Sequence, residues 1–232
     1  MKRILTTLSQ KWPEYLLEVL VITFGILGAF ALNNWNENRI HAKKELDYLS
    51  ELRKDLKEDI IDLNFNYDFT RDKLNSNEVV LDYIKNKKPL TDSIEYHLSN
   101  LLLPVHFVSN TSAYESIKNQ GIDIITNDSV RRQIVFLYDW YDKHLQYFET
   151  NDDHLVQYQV LMEMYLKKIK VHEIFRKAEP IDKVNIYTDA DFYNVLTMNS
   201  FYRNYMLSNY KQACELASQL LASIDQLILA NK

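Results

Sequence analysis

Residues 15–32 read YLLEVLVITFGILGAFAL and are followed directly by NNWNENR. This apolar stretch is about as long as a helix must be to cross a bilayer, and Glu18 is its single charged residue. Trp12, Tyr15 and Trp35 flank the stretch, and such amphipathic rings favour the headgroup region of a membrane. A helix from Trp12 to Trp35 rises roughly 34 Å, enough to reach both interfaces. The pattern therefore predicts a transmembrane helix.

The basic residues that flank this helix do not fix its direction by count alone. Three lie on each side: Lys2, Arg3 and Lys11 before it, and Arg39, Lys43 and Lys44 after it. Acidic residues neutralise the second group but not the first. We therefore expect a short cytoplasmic tail over residues 1–14, the transmembrane helix over residues 15–35, and the remainder of the chain outside the cytoplasm.

A cleavable signal peptide is the alternative interpretation of the same segment. Two basic residues, an apolar run and the sequence Ala29-Phe30-Ala31 follow the layout of such a peptide, with cleavage after residue 31. The length of the apolar run and the polar boundary at Asn33-Asn34-Trp35 favour a spanning helix instead.

Glycine and proline are scarce, and this decides the fold class. The 232 residues include 3 Gly and 4 Pro, well below the usual ~7% and ~5%. A sheet-rich domain needs many turns, which depend on these residues. We therefore predict an all-α protein. The net charge of −5 gives no basic footprint for nucleic acid, and the single cysteine, Cys214, allows no internal disulfide.

Apolar residues in steps of three, four and seven predict the helices of residues 36–232. A first long helix covers residues 36–85, and short helices cover residues 92–102 and begin at Ser112, where SAYE forms a capping box. Gly121 is a C-cap, and Asn127 to Ser129 begin a second long helix that continues to about Arg176. A short helix begins at Asp189. A last long helix covers residues 200–229, with Tyr205, Leu220 and Ile224 facing inward. Three long and two or three short helices predict an elongated antiparallel bundle with coiled-coil-like packing.

Two segments resemble a known family. Residues 24–37, FGILGAFALNNWNE, resemble the anchor signature of a family of uncharacterised bacterial single-pass membrane proteins, and Glu18 matches an acidic residue early in that helix. The segment from Ala113, AYESIKNQGIDIITNDSVRRQIVFLYDWY, resembles the second block of the same family. Gly28 and Ala31 depart from its usual pattern. The resemblance implies a domain of unknown function in the bacterial inner membrane and no activity.

One stripe of the anchor is a candidate helix–helix interface. At about 100° per residue, Glu18, Gly25, Ala29 and Asn36 return to nearly the same direction. Small residues four apart allow close backbone approach, and a polar side chain on the same face can bond across the interface. A homo-oligomer or another membrane protein is the expected partner, beside the lipid bilayer. The plainer interpretation places Glu18 at the headgroups and gives the small residues no role.

Tyrosine-rich segments are a second candidate site. YDWYDKHLQYF from Tyr138 and FYRNYMLSNY from Phe201 place Tyr138, Tyr141, Tyr202 and Tyr205 on two helices, where they could line a groove for a ligand or partner. Core packing with the hydroxyl at the surface is the alternative. The charged run RKDLKED, residues 53–59, predicts a solvated helix face.

No pattern of catalytic or metal-binding residues is present. The closest acid–histidine clusters are Asp152-Asp153-His154 and His172-Glu173, and neither has the spacing of a zinc or di-metal site. Gly121 is the one glycine outside the anchor, which excludes phosphate and dinucleotide loops. We therefore expect no enzyme activity, no metal and no cofactor, and favour a scaffold or interaction module of the cell envelope. A ligand-sensing bundle that signals through a partner protein is the alternative.

Overall fold

The computed structural model describes the backbone of residues 2–153 and 159–231, and the side chains of these ranges apart from residues 2–11, 14, 152 and 153. The structure is 81% helical with one small two-stranded sheet. The chain divides into two compact units, Met1–Tyr48 and Leu49–Lys232.

Helix α1 covers Lys2–Lys85 and supplies all the described structure of the first unit. From Tyr15 to Ile40 its described side chains are exposed. Its most apolar window has a mean hydropathy of 2.2, with no residue of that window buried, and the helix is long and apolar enough to span a membrane. The predicted apolar helix is therefore present.

The part of α1 in the second unit contributes a regular buried seam. Leu49, Leu52, Leu56, Leu63 and Ile84 are buried at the predicted spacing. The helix ends at Lys85, as predicted, because the next residues include Lys87 with φ 49° and then Pro89.

Two short helices follow α1. Helix α2, Asp92–Ser99, begins at the cap Thr91, whose hydroxyl accepts from the Ile94 amide, and it ends three residues before the predicted boundary at Leu102. Helix α3, Ser112–Gln120, ends at Gly121 as predicted, with φ 105°. A 3-10 turn, Ile122–Ile124, then leads to Ile125, which is fully buried.

The second long helical stretch alternates between α and π geometry. Helix α4, Asp128–Val135, begins at the predicted cap Asn127, whose side chain accepts from the Val130 amide at 3.0 Å. A π-helical segment Phe136–Tyr141, helix α5 (Asp142–Tyr147) and a second π-helical segment Phe148–Asp153 follow it. Beyond residues 154–158, which are outside the described range, π-helical residues 159–161 lead into helix α6 (Met162–Lys168). Such π turns are rare and frequently mark functional sites.

The prediction that this helix continues to Arg176 is wrong. Strand β1, Ile169–Glu173, pairs antiparallel with strand β2, Lys177–Pro180, so the protein is not purely α. Residues 169–172 alternate apolar and polar, a period that suits a strand. Phe175 in the connecting turn has φ 63°, and its amide donates to the Ser99 carbonyl of α2.

Helix α7, Ala190–Ala230, is one continuous helix of 41 residues, so the separate short helix predicted from Asp189 is wrong. Asp189 is instead its N-cap and accepts from the Phe192 amide. Leu220 and Ile224 are buried as predicted, whereas Tyr205 is exposed, because Met206 and Tyr210 occupy the inward positions there.

Hydrogen bonds and an ion pair show how α7 lies against the second part of α1. The contacts join Arg53 to Asp225, Asn64 to Cys214, and Asn77 to the Leu196 carbonyl. Positions rise along α1 as they fall along α7, so the two stretches are antiparallel. The far end of this pair packs on α2, α6 and the hairpin in one apolar cluster that includes Tyr83, Leu98, Tyr165 and Phe192.

Candidate functional site

An irregular segment, residues 100–111, joins α2 to α3 and is held between helices; we call it the inlaid loop. Backbone bonds to α2 and α3 hold its two end residues, Asn100 and Thr111, and several backbone groups between them bond to side chains. The Phe107 amide donates to Glu149 at 2.9 Å, and the Val105 and Leu101 carbonyls accept from Tyr210 and Arg203. Irregular backbone usually lies at the surface because its polar groups need partners. Here the partners come from α7 and the second π-helical segment.

A row of three aspartates on α1 faces the α3 end of the inlaid loop and the first turn of α3. Asp55, Asp59 and Asp62 are spaced by four and three residues, so they share one face of the helix. Asp59 accepts from the Asn110 amide and from its side chain, both at 2.8 Å, and Asp62 accepts from the Val108 amide at 3.5 Å. The loop therefore binds to a row of carboxylates.

This row corrects two sequence predictions. Residues 53–59 are not a wholly solvated face, because Asp59 is only 3% exposed and Asp55 is half-buried. The capping box at Ser112 is wrong as well: Thr111 is the N-cap and makes no side-chain cap bond. Asp55 replaces it, accepting from the Ala113 amide at 3.0 Å and the Ser112 hydroxyl at 3.2 Å. The first turn of α3 is thus capped by a carboxylate from another helix.

Asp59 and Asp142 are buried carboxyl groups on two different helices. Burial raises the pKa of Asp59 to about 7; hydrogen bonds from Asn110 oppose the rise, and the charges of Asp142 and Asp55 add to it. Burial also raises the pKa of Asp142 to about 6, against a hydrogen bond from Ser109. Neither carboxyl forms an ion pair with a described residue.

A buried lysine, Lys73, lies at the α2 end of the inlaid loop. The Lys73 ammonium group contacts the Asn100 side chain and lies 3.9 Å from the centre of the Phe175 ring and 4.6 Å from that of Phe69. Burial, followed by the charge of Arg203, lowers its pKa to about 8. Aromatic faces are favourable surroundings for a cation. Because Phe175 belongs to the hairpin turn, this contact joins the hairpin to α1.

The predicted anchor residues lie on α1 in the first unit. Glu18, Gly25, Ala29 and Asn36 are all exposed. A methyl group added at Gly25 would meet no atom within 4 Å beyond its own helix backbone, so the space beside Gly25 is open. Their role as a helix–helix interface stays a prediction.

The four predicted groove tyrosines occupy two kinds of environment. Tyr138 and Tyr141 are buried, and the Tyr141 hydroxyl donates to the Asn209 carbonyl at 3.0 Å. Tyr202 is half-buried and Tyr205 is exposed, with its ring 5.1 Å from that of Phe148. The structure therefore brings Tyr141 and Tyr205 to the same pair of helices but not to one open surface, and their binding role stays a prediction.

Sequence reasoning missed an outward row of rings on the same stretch. Phe136, Trp140, His144 and Phe148 follow each other every four residues with ring centroids 5.1, 5.2 and 4.6 Å apart; we call this the outer aromatic row. Phe136 is 44% and Trp140 is 54% exposed. In a pure α-helix, residues four apart drift around the axis by about 40° each time. The wider π turns reduce that drift, which keeps the rings in contact. The four-residue spacing was the available signal.

No cluster in the described part of the chain has the arrangement needed for a metal ion. No three His, Cys, Asp or Glu side chains of the described residues come together in a group that could bind one. His172 instead bonds to Glu179 across the hairpin at 3.0 Å. His154, part of the other acid–histidine cluster of the sequence, lies outside the described residues.

The fold and the site define a predominantly helical protein with a long N-terminal apolar helix and an internal loop held by carboxylates. The chain belongs to a family of unknown function, DUF6090, which matches residues 18–204. The match begins inside the apolar segment and ends in α7, so it includes the inlaid loop and the outer aromatic row. No curated protein and no solved structure matches the chain.

Proposed function

We propose that this protein is a non-enzymatic, membrane-anchored interaction module of the bacterial cell envelope. In this proposal residues 15–35 cross the inner membrane once, and residues 36–232 form a helical bundle on its outer side that binds a partner protein. The observation that carries it is the apolar stretch of α1, whose most apolar window has a mean hydropathy of 2.2 and no buried residue. Exposing so much apolar surface to water is unfavourable, whereas a bilayer solvates it.

Helix α7 is also long and apolar enough to span a membrane, but its contacts favour a place in the bundle. The most apolar window of α7 has a mean hydropathy of 1.2, and 22% of that window is buried. One face carries the buried side chains of Leu196, Arg203 and Ala217, which repeat at helical spacing. Arg203 donates to the Leu101 carbonyl of the inlaid loop. We therefore assign one span to the protein.

The outer aromatic row supports a protein-binding role for the bundle. Aromatic residues are enriched at protein interfaces, where they bury much area at little entropic cost. Phe136 and Trp140 expose large rings beside Val135, which is 38% exposed. Together with Ile122, Arg131 and Arg132 they line a surface hollow of about 560 Å³. A partner side chain could enter it.

Site-specific photocrosslinking in intact membranes tests this function. A photoreactive phenylalanine analogue replaces Trp140 in the full chain, and a matched variant carries it at Lys57, an exposed position of α1. We expect the position-140 probe to form a discrete adduct larger than the 27.6 kDa chain and the position-57 probe to form none. Equal labelling at both positions, or no adduct at position 140, would contradict the interaction surface.

A ligand-sensing role is the second candidate, because a cleft opens between α1 and α7. Its volume is about 520 Å³, within the range of about 300–1,000 Å³ common for ligand sites. Leu63, Tyr67, Tyr210 and Cys214 form much of its wall. Native mass spectrometry of the gently extracted full chain tests it: a bound small molecule that is lost in Ser218→Trp supports sensing. An unliganded mass counts against it.

A further inference from the structure

The Ser109 hydroxyl joins two buried carboxyl groups. Its oxygen lies 2.7 Å from Asp142 Oδ2 and 3.4 Å from Asp59 Oδ2. The other oxygen of Asp59, Oδ1, accepts the backbone and side-chain N–H groups of Asn110. Asp59 is 3% and Asp142 is 5% exposed, so water screens neither charge well.

Counting hydrogens shows that one is missing from this arrangement if both carboxyls are ionised. A serine hydroxyl has one hydrogen to donate, and the shorter distance assigns it to Asp142. Asp59 Oδ2 would then face the Ser109 oxygen with no hydrogen between them. A protonated Asp59 removes the conflict, because its Oδ2–H can point to the Ser109 oxygen, across a long contact of 3.4 Å, while Oδ1 remains the acceptor for Asn110.

The groups that surround the pair supply no compensating cation. Asp55 faces Asp59 from the same helix, Ser109 and Asn110 face it from the inlaid loop, and Asp142 and Tyr138 face it from the second long stretch. No described lysine, arginine or histidine forms an ion pair with Asp59 or Asp142. Two uncompensated buried charges at close range are strongly unfavourable.

The Tyr138 hydroxyl is an independent sign of an incomplete hydrogen-bond network here. Tyr138 is 3% exposed, and its hydroxyl has no hydrogen-bond partner among the described residues. Burial raises its pKa, and the charges of Asp59, Asp142 and Asp55 raise it further, which places the ring beside the carboxyl pair. It is a buried hydroxyl donor without an acceptor beside the two carboxyl groups.

We propose that Asp59, Ser109 and Asp142 form a buried proton-binding site that fastens the inlaid loop between α1 and the second long helical stretch. The bound proton lies on Asp59 Oδ2 and is donated to Ser109, whose own hydrogen is donated to Asp142. Loss of that proton leaves two negative charges on one hydroxyl and loosens the fastening. This site is independent of whether the proposed interaction surface binds a partner.

The pH dependence follows from the raised pKa values of both carboxyls. Their values in the folded protein, about 7 for Asp59 and about 6 for Asp142, exceed the unfolded value of about 4. Between pH 4 and 7 the folded state therefore binds more protons than the unfolded state. The free energy of unfolding consequently falls as pH rises through this window, and the stabilising effect of the proton is lost above about pH 7.

Asp59→Asn is the decisive variant, because the amide imitates the protonated carboxyl at every pH. Its oxygen can accept from Asn110 and its NH2 group can donate to Ser109. Thermal unfolding of the full chain in detergent is followed by tryptophan fluorescence from pH 5 to 8.5. We expect the wild-type Tm to fall by several degrees over this range, and the Tm of Asp59→Asn to change much less. Asp62→Asn, on the same helix face, is the matched control and should keep the wild-type slope.

Infrared difference spectroscopy of the wild-type chain gives a second readout that does not depend on how the variant folds. We expect the C=O band of protonated carboxylic acid at pH 6, its loss by pH 8.5, and a clearly weaker band at pH 6 in Asp59→Asn, where Asp142 is the carboxyl of the pair that still binds a proton. Equal pH slopes for wild type and Asp59→Asn would overturn the proposal. So would the absence of a protonated carboxyl band in the wild-type spectrum at pH 6.

Discussion

Helix α1 contains two stretches with opposite relations between polarity and exposure. Residues 15–32 are almost wholly apolar and exposed, whereas residues 49–85 bury polar side chains among apolar ones, including Asp59, Asn66, Lys73 and Asn77. Both are regular α-helix. Backbone structure therefore does not distinguish them, and the surroundings of each stretch do.

The comparison shows what each stretch needs from its environment. An apolar helix without protein neighbours needs a solvent that accepts apolar surface, which a bilayer provides. A helix with buried polar groups needs partners placed at hydrogen-bond distance, which the inlaid loop, α7 and the second long stretch provide. Substitutions in the two stretches should consequently have different effects. Those in residues 15–32 should change where the protein is located, and those in residues 49–85 should lower its stability.

The largest expected effect is a change of location. Ile22→Arg together with Ile26→Arg places two charges near the middle of residues 15–32, at a cost of about 2.5–3.5 kcal/mol each on insertion scales. We expect the double variant to move from the membrane fraction to the soluble or degraded fraction. Sedimentation of membranes after alkaline carbonate washing, followed by immunoblotting, measures this.

The matched control for that experiment is Ile22→Leu with Ile26→Leu, which keeps the apolar surface. It should sediment as the wild type does. A doubly charged variant that still resists carbonate extraction would show that residues 15–32 do not anchor the protein. It would also remove the contrast between the two stretches of α1.

The second expected effect is a loss of stability from opening the inlaid loop. Glu149 is 1% exposed and accepts from the Phe107 amide at 2.9 Å and from the Tyr210 hydroxyl at 2.7 Å. Glu149→Ala leaves the Phe107 amide buried without this acceptor, at about 1–3 kcal/mol, whereas the Tyr210 hydroxyl keeps the Val105 carbonyl as an acceptor. Denaturant unfolding of the full chain in detergent should show a lower midpoint. Glu149→Gln retains an acceptor oxygen and should lose less; equal losses for the two variants would assign the effect to packing alone.

Local signals in the sequence predicted the local features of the fold. The Asn127 cap and the Gly121 C-cap were predicted correctly because the groups that bond lie within a few residues of each other. The buried seam of Leu49, Leu52 and Leu56 was predicted because helical periodicity is a local pattern. The hairpin was missed because the alternating run at residues 169–172 is only four residues long.

The candidate site was missed because its bonds join distant parts of the chain. Asp59 and Asn110 are 51 residues apart, and Glu149 and Phe107 are 42 apart. Acidic residues on a helix are usually solvated, and nothing within residues 53–59 indicates that backbone amides lie against them. The outer aromatic row could have been predicted, since its four-residue spacing is visible in the sequence. The alignment of its rings could not, because it depends on π turns that no local pattern indicated.

The smallest expected effect concerns the cap that Asp55 provides for α3. Asp55→Ala removes the acceptor for the Ala113 amide and the Ser112 hydroxyl, and loss of an N-cap costs about 1 kcal/mol. Asp55→Asn keeps one acceptor oxygen and should lose only part of this. Hydrogen exchange of the full chain, read at the amides of residues 113–115, should show faster exchange in the alanine variant while residues 15–32 are unchanged. Exchange at wild-type rates in α3 would mean that Asp55 contributes no cap, and that α1 holds the α3 end of the inlaid loop through Asp59 and Asp62.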